Sequence, residues 1–289
     1  MYKHIVVGTD GSATAKIATD RAAGLAGALS AKLTLVHGGH DSDGSLASLA
    51  EEYEAGFVAE AGSPADVLIS KTEELGADLL VVGSVGMRGA KRFRLGNVPN
   101  KVSHHAVSDL LVVKTDPPSA SRAGAVYDKI LAGTDGSPTA MSAVDRAADL
   151  ARELDARLTI VCAYEPPTEA ELKKMRGTSS GDIDALWNAD RELRDVPEEF
   201  RWRIAGAAQA EDVLERSAEH SSKHGIDAAT RAEKGPAAEV LIGLAEREGF
   251  DLIVVGNVGM SGAKRLMLGN VPHRVSHHSP TDVLILRTS

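Results

Sequence analysis

Short apolar runs alternate with longer amphipathic segments along this chain. IVVGTD, LTLVHG, LLVVGS and DLLVVK are runs of strand length that are rich in Val, Leu and Ile on both faces. Such runs are typical of parallel strands that helices cover on both sides. Between them, residues 13–29 and 65–75 carry apolar residues at helical spacing. The order of these segments predicts a doubly wound α/β unit.

The unit occurs twice. HIVVGTDGSATA, GADLLVVG and SDLLVVKT in the first half correspond to KILAGTDGSPTA, GFDLIVVG and TDVLILRT in the second. A repeat that spans a whole supersecondary unit indicates a duplicated domain and not a solenoid. We predict domains at 1–116 and 126–289, joined by a linker at 117–125, because DPPSASRAGA has the composition of a linker.

The two units differ between their second and third strands. Repeat 1 joins these strands within residues 37–56, whereas repeat 2 has an insertion at about 165–205, followed by a helix at 207–224. Both tryptophans, Trp187 and Trp202, lie in this insertion. It is either a variable surface segment with aromatic residues packed beneath it, or a lid or partner-binding arm.

Composition and charge narrow the class of protein. The chain has 289 residues, a formal net charge of −9 and 43% hydrophobic residues. An acidic chain does not suit a general nucleic-acid or anionic-membrane binder. Cys162 is the single cysteine, so no internal disulfide forms and a reducing compartment fits. We expect a cytoplasmic protein, because we find no signal pattern and no apolar run near the roughly 20 residues that span a bilayer.

A glycine pattern, G-x2-G-x9-G-N, follows the fourth strand of each unit. Its members are Gly83, Gly86, Gly96 and Asn97 in the first copy and Gly256, Gly259, Gly269 and Asn270 in the second. Ligands of open α/β sheets bind where strands end, and glycine lets backbone N–H groups approach phosphate oxygens. The last glycine opens a helix, whose N-terminus offers free donors to an anion. The pattern predicts a phosphate cradle; alternatively, the glycines serve tight turns only.

Other residues carry weaker signals. Asp10 and Asp135 end the first strands in GTDGS, where each could accept hydrogen bonds from a ribose hydroxyl or an adenine amino group. Alternatively, each caps the following helix in competition with Ser12 or Ser137, which stand where helix N-caps belong. The pairs Lys91–Arg92 and Lys264–Arg265 form a solvated helix face or reach a phosphate. The pairs His104–His105 and His277–His278 do not predict a metal site, because adjacent helical residues point about 100° apart.

The GTDGS strand ends and the two glycine patterns resemble the ATP-binding branch of the universal stress protein family. The resemblance covers nearly the whole chain except the linker and the insertion. It implies, in each half, a Rossmann-like, adenine nucleotide alpha hydrolase-like fold with a five-stranded parallel sheet of order 3-2-1-4-5. It also implies ATP across the ends of the first and fourth strands. Carried over by position, the residues that line this ATP would be Asp10, Gly38, Gly83, Gly86, Met87, Gly96, Asn97 and Val98 in one half, and Asp135, Ala163, Gly256, Gly259, Met260, Gly269, Asn270 and Val271 in the other.

Two departures from the family pattern bear on binding. Asn97 and Asn270 stand where the family has Ser or Thr, which changes the donor offered to the terminal phosphate. Gly38 and the shortened second-helix region predict a more open adenine side in repeat 1, and hence tighter binding in repeat 2. The resemblance further implies that the two fifth strands pair in an intrachain pseudo-dimer, with room for a homodimer.

Three functions follow as hypotheses. The first is an ATP-binding stress or regulatory switch with one ATP site per domain, with Mg²⁺ able to accompany the nucleotide. The second is a weak ATPase or nucleotidyl enzyme on the same fold, although no residue near the cradle is evidently placed to activate water. The third is an interaction module that has lost its nucleotide. We predict no catalytic residue, and no nucleic-acid or membrane partner.

Overall fold

The computed structural model describes residues 1–41, 44–85, 95–115, 126–165, 198–257 and 268–287, with the backbone alone for 198–205. Ten strands lie in this part of the chain: β1 His4–Gly8, β2 Lys32–Gly38, β3 Gly56–Glu60, β4 Leu79–Gly83, β5 Asp109–Val113, β6 Lys129–Thr134, β7 Arg157–Tyr164, β8 Ala229–Lys234, β9 Leu252–Gly256 and β10 Asp282–Leu286. The helices described are α1 Ala13–Leu29, α2 Ser45–Glu52, α3 Pro64–Glu74, α4 Asn97–His105, α5 Pro138–Leu154, α6 Glu198–Lys223, α7 Ala237–Glu248 and α8 Asn270–His278.

All ten strands form one sheet, in the order β3-β2-β1-β4-β5-β10-β9-β6-β7-β8. Within each half the strands are parallel and follow the predicted order 3-2-1-4-5. The halves meet where β5 and β10 pair antiparallel, with Leu111 opposite Leu284. The predicted α/β fold class is confirmed.

The sheet is buried on both faces, as continuous apolar runs require. Ile5 and Val7 of β1 face one hydrophobic core, together with residues of α1, α2, α5 and α6. Val6 faces a second core, together with residues of α3, α4, α7 and α8. Each core runs through both halves, so the duplicated units share a continuous three-layer α/β/α interior.

Serine caps begin the first helix of each half, as the sequence predicted. The Ser12 hydroxyl accepts a hydrogen bond from the Ala15 amide at 3.2 Å, and Ser137 does the same for Ala140 at 3.3 Å. Such caps satisfy one of the donors that a helix start leaves unpaired. They fix α1 and α5 directly behind the ends of β1 and β6.

Two ion pairs with buried carboxylates cross between the halves. Arg21 of α1 lies 3.1 Å from the Asp282 carboxylate of β10, and the Tyr127 hydroxyl donates to the same carboxylate at 2.8 Å. In the mirror position, Arg146 of α5 lies 3.7 Å from Asp109 of β5, to which the Tyr2 hydroxyl donates at 2.7 Å. Burial is the largest influence on the two carboxyl groups and raises the pKa of each. The two units are therefore joined by buried charges as well as by the sheet.

The insertion in repeat 2 ends in a longer helix than the sequence predicted. Helix α6 begins at Glu198 and not near residue 207, and it ends at Lys223. Its C-terminal half packs on α5, where His220 lies 3.0 Å from Asp145. His224, directly after the helix, lies 2.8 Å from Asp149. The linker at 117–125, Trp187 and the side chain of Trp202 lie outside the described residues.

Candidate functional site

The candidate site lies where β1 and β4 end side by side. These strands are parallel neighbours, with Val7 opposite Val81. From here the chain continues from β1 to β2 on one side and from β4 to β5 on the other. Loops that diverge from neighbouring strand ends leave a crevice, which is the usual ligand position in doubly wound sheets.

Asp10 and Ser12 form a compact turn at the end of β1. The Asp10 carboxylate accepts hydrogen bonds from the Ser12 amide at 3.1 Å and from the Ser12 hydroxyl at 2.5 Å. Ser12, and not Asp10, caps α1. Asp10 is partly exposed, so a fixed carboxylate stands at the edge of the crevice.

The end of β4 is joined to the start of α4 through Ser84. The Ser84 amide donates to the Val113 carbonyl at 2.8 Å, and the Ser84 carbonyl accepts from the Gly96 amide at 2.8 Å. The Ser84 hydroxyl also lies 3.2 Å from both the hydroxyl and the amide of Thr115. Sequence reasoning missed Ser84, although it directly follows the first glycine of the pattern. These bonds hold the first turn of α4 against the strand end.

Helix α4 begins without a side-chain cap. Gly96 is its N-cap and has no side chain to bond the first amides. Asn97 is exposed and Val98 is partly exposed at this helix start. Free N–H groups and the positive end of the helix dipole favour an anion here.

The second half repeats this arrangement. The Asp135 carboxylate accepts from the Ser137 amide at 3.0 Å. The Asn257 carbonyl accepts from the Gly269 amide at 2.8 Å, as the Ser84 carbonyl does from Gly96. Helix α8 likewise begins after an uncapped glycine, and Asn270 and Val271 form its first turn.

Some of the glycines have a packing role. A Cβ on Gly256 would lie 3.1 Å from the backbone of Thr139 in the first turn of α5, and a Cβ on Gly38 would lie 2.4 Å from the Pro64 Cα. Gly38 therefore lets α3 approach β2, which is a different reason for the glycine than the open adenine side that the sequence suggested. Its counterpart Ala163 is partly exposed at the end of β7.

None of the residues that the structure describes crowds Gly96. Its φ of −64° is open to any residue, and a Cβ there would lie in ordinary contact, 3.6 Å from the Ser84 carbonyl oxygen and from Pro99. Gly83 is intermediate, because its Cβ would lie 3.3 Å from Thr115. Crowding by the described residues does not account for the glycine at Gly96, whereas a closely approaching ligand would. At the equivalent Gly269, a Cβ would lie 3.2 Å from the Asn257 carbonyl oxygen.

The site of the second half has a neighbour that the first lacks. A Cβ on Gly136, next to Asp135, would lie 2.9 Å from Val213 of α6 and 3.6 Å from the Arg216 guanidinium. In the first half the shorter α2 takes this place, where Leu46 lies 3.2 Å from a Cβ on Gly11. The surroundings of the Asp10 turn and of the Asp135 turn therefore differ in size.

Several predicted residues cannot be placed. Gly86, Met87, Gly259, Met260 and the two Lys–Arg pairs lie outside the described residues. No group of three or more metal-ligating side chains suitable for an ion occurs in the described part of the chain. Cys162 is buried in β7 away from solvent, and burial raises the pKa of its thiol to about 11. Among the helices that the structure describes, none is long and apolar enough to cross a membrane.

Comparisons with known proteins agree with this architecture. The chain spans nearly the full length of a universal stress protein, Rv1636 of Mycobacterium tuberculosis H37Rv, at 34% identity over 164 residues, which is 56% of this chain and 98% of that protein. YxiE of Bacillus subtilis 168 is also 34% identical over 164 residues, which is 56% of this chain and 100% of that protein.

Two solved structures match the whole chain in fold. A universal stress protein from Archaeoglobus fulgidus DSM 4304 has a TM-score of 0.64 at 16% identity, with 99% of this chain and 98% of that chain covered. A functionally unknown protein from Pseudomonas aeruginosa PAO1 has a TM-score of 0.66 at 20% identity, with 99% and 92% covered. The family model of the universal stress proteins matches residues 1–59, 47–114 and 126–287. The chain belongs to the universal stress protein family, whose pattern it carries in both halves.

Proposed function

We propose that this protein binds ATP in each half and acts as a nucleotide-dependent regulatory switch. The observation that carries the proposal is the uncapped start of α4 at Gly96, held beside the end of β4 and next to the β1 turn that presents Asp10. The second half offers the same combination at Gly269 and Asp135. Repetition of one arrangement in two halves supports a shared ligand.

The chemistry of the site fits a nucleotide. The amides of Asn97 and Val98 would donate to phosphate oxygens, where the helix dipole favours negative charge. The partly exposed Asp10 carboxylate would accept hydrogen bonds from hydroxyl or amino groups of the nucleoside. The triphosphate would bring Mg²⁺ with it. The described residues of the cradle supply donors and space, and no base aimed at a phosphate, so binding is favoured over catalysis.

The two sites would differ in affinity. In the second half, Val213 and Arg216 of α6 pack over the loop that carries Asp135. A larger wall beside the loop would bury more of the nucleotide. We propose that the second half binds ATP more tightly than the first.

We also propose that the two halves form an intrachain pseudo-dimer in the cytoplasm. The antiparallel pairing of β5 with β10 supports this arrangement. The outer strands β3 and β8 are left as the edges of the sheet, so a homodimer would use other surfaces or these edges. Sedimentation of the full chain gives its state of assembly.

Nucleotide content and titration test the function. Purified protein is denatured and its extract analysed for adenine nucleotides, and protein stripped of nucleotide is titrated with ATP, with GTP as control. We expect two ATP sites. Asp10→Ala and Asp135→Ala should each weaken one of them by about tenfold, the usual size for a lost hydrogen bond to a charged group.

Other outcomes favour the alternatives. Prompt release of ADP and phosphate from bound ATP would identify an enzyme. Protein that carries no nucleotide and gives no heat with ATP would be an interaction module, and the proposed function would be wrong. Equal dissociation constants for the two sites of the wild-type protein would contradict the difference between the halves.

A further inference from the structure

The last helix of each half is held at its C-terminal end by a cation from the other half. Lys114, which follows β5, donates from Nζ to the Ser276 carbonyl of α8 at 2.6 Å. Arg287, which follows β10, donates from its guanidinium to the Ser103 carbonyl of α4 at 2.6 Å. Ser103 and Ser276 occupy equivalent positions in the last turns of α4 and α8. The two contacts therefore cross between the halves symmetrically.

Removing these two cations from water costs free energy. Lys114 is only 7% exposed. Burial lowers the pKa of the Arg287 guanidinium, and its Nε is buried without a hydrogen-bond partner. Buried charge is unfavourable unless it is paired, and the carbonyls at a helix C-terminus, the negative end of the dipole, are suitable partners. The helix ends and the cations thus satisfy one another across the junction.

The opposite ends of the same helices are the candidate phosphate sites. Helix α4 starts after Gly96 and α8 after Gly269, and neither helix has a side-chain cap. Nine helical residues span only about 13 Å, so a tilt or shift at the last turn moves the first amides as well. Whatever fixes Ser103 also fixes the direction of the donors at Asn97.

We propose that Arg287 and Lys114 are positioning residues, each of which aligns the phosphate-binding helix of the other half. This inference rests on the proposed function. The chain itself carries Lys at one position and Arg at the equivalent one, both donating to a helix carbonyl. A charged donor is therefore what the position requires, and not the shape of a guanidinium.

Other contacts strengthen the same joint. His277 of α8 lies 3.3 Å from the Asn100 side-chain oxygen of α4. The His104 ring of α4 lies 5.9 Å from the ring of His273 in α8. The two helices therefore touch each other directly, beside the contacts that Lys114 and Arg287 make.

The test resolves the two sites within one chain. Hydrogen–deuterium exchange of peptides 95–105 and 268–278 is followed against ATP concentration, which gives an apparent dissociation constant for each half. In Arg287→Met we expect half-maximal protection of 95–105 to need about fivefold more ATP, the low end of usual coupling between sites. Protection of 268–278 should change less than twofold. Lys114→Met should give the mirror result.

A conservative variant and a second substitution separate positioning from stability. Arg287→Lys should restore the wild-type titration, because Lys114 fills the equivalent place. If Arg287→Met does not fold, Arg287→Gln, which keeps a donor without the charge, takes its place. Three outcomes would overturn the inference while the proposed function stands. The ATP concentration for half-maximal protection could rise equally for both peptides, rise only for the peptide of the half that carries the substitution, or stay unchanged. Absence of ATP-dependent protection in wild-type protein would overturn both.

Discussion

The buried pair of Arg21 and Asp282 gives a sharp test of how the halves are joined. Replacing Arg21 by Met keeps most of the apolar stem and removes the cation. The side chains are 4% and 2% exposed, and they lie 3.1 Å apart. Without Arg21, the Asp282 carboxylate keeps the Tyr127 hydroxyl and the Lys114 amide as donors but loses its buried ion-pair partner.

The expected loss is large because the remaining charge is buried. Removal of one partner from a buried ion pair typically costs about 3–5 kcal/mol, which is a substantial part of the usual 5–15 kcal/mol of domain stability. Arg21→Met should therefore lower the free energy of unfolding by roughly this amount. Arg21→Met/Asp282→Asn should recover part of it, because no unpaired charge remains.

Urea unfolding followed by circular dichroism measures the effect. Lys101→Met is the matched control, since Lys101 lies 2.7 Å from Asp66 in another helix, yet the two side chains are 46% and 59% exposed. An exposed pair contributes little, so this variant should unfold like the wild type. The reasoning is refuted if Arg21→Met is no less stable than Lys101→Met, or if the double variant is less stable than Arg21→Met.

Three further predictions concern single sites. Gly96→Ala should fold normally, because its Cβ has room. It should weaken ATP binding about tenfold, because the methyl group would displace a phosphate oxygen from one backbone donor, and a hydrogen bond to a charged group contributes about this much. Gly27→Ala, with nothing within 4 Å of its Cβ, is the control, and equal affinities of the two variants would contradict the phosphate role. His277, which faces His273, His278, His104 and Lys114, has its pKa lowered from 6.5 to about 4, chiefly by burial. The folded state therefore takes up fewer protons than the unfolded state, and stability present above pH 6.5 is lost as the pH falls towards 4. In urea unfolding at several pH values, His277→Asn should reduce this loss, whereas His278→Asn, at an exposed position, should not. Parallel curves of stability against pH for the wild type and His277→Asn would contradict the prediction. Cys162, with a thiol pKa of about 11, should react with iodoacetamide at pH 8 only after unfolding, so rapid labelling of folded protein would refute its burial.

Local features of the site could be read from the sequence with some success. The strand runs, the serine caps at Ser12 and Ser137, and the start of α4 after Gly96 all follow from short-range rules. The reason for Gly38 did not follow, because it depends on the close approach of Pro64 from another element. The start of α6 at Glu198 was also missed, although a proline directly before two glutamates is a helix-start signal. The binding roles of the predicted site residues stay predictions.

The ion pairs between the halves have a signal in the sequence that is independent of hydrophobic periodicity. Tyr2 and Tyr127, like Asp109 and Asp282, are polar residues repeated at equivalent places among apolar ones. Repetition marks such residues as needed in both halves, but it does not say with what they pair. Only the tertiary structure shows that each carboxylate meets an arginine from the opposite half.

The sequence by itself determined the repeated α/β unit, because apolar spacing reports how many faces of each segment are buried, and caps and glycines report where helices begin. The tertiary structure decided how the two units meet. The pairing of β5 with β10 and the contacts of Lys114 with Ser276 and of Arg287 with Ser103 join residues far apart in the chain. Local patterns cannot specify such partners, because the free energy of a buried charge depends on which group folding brings beside it.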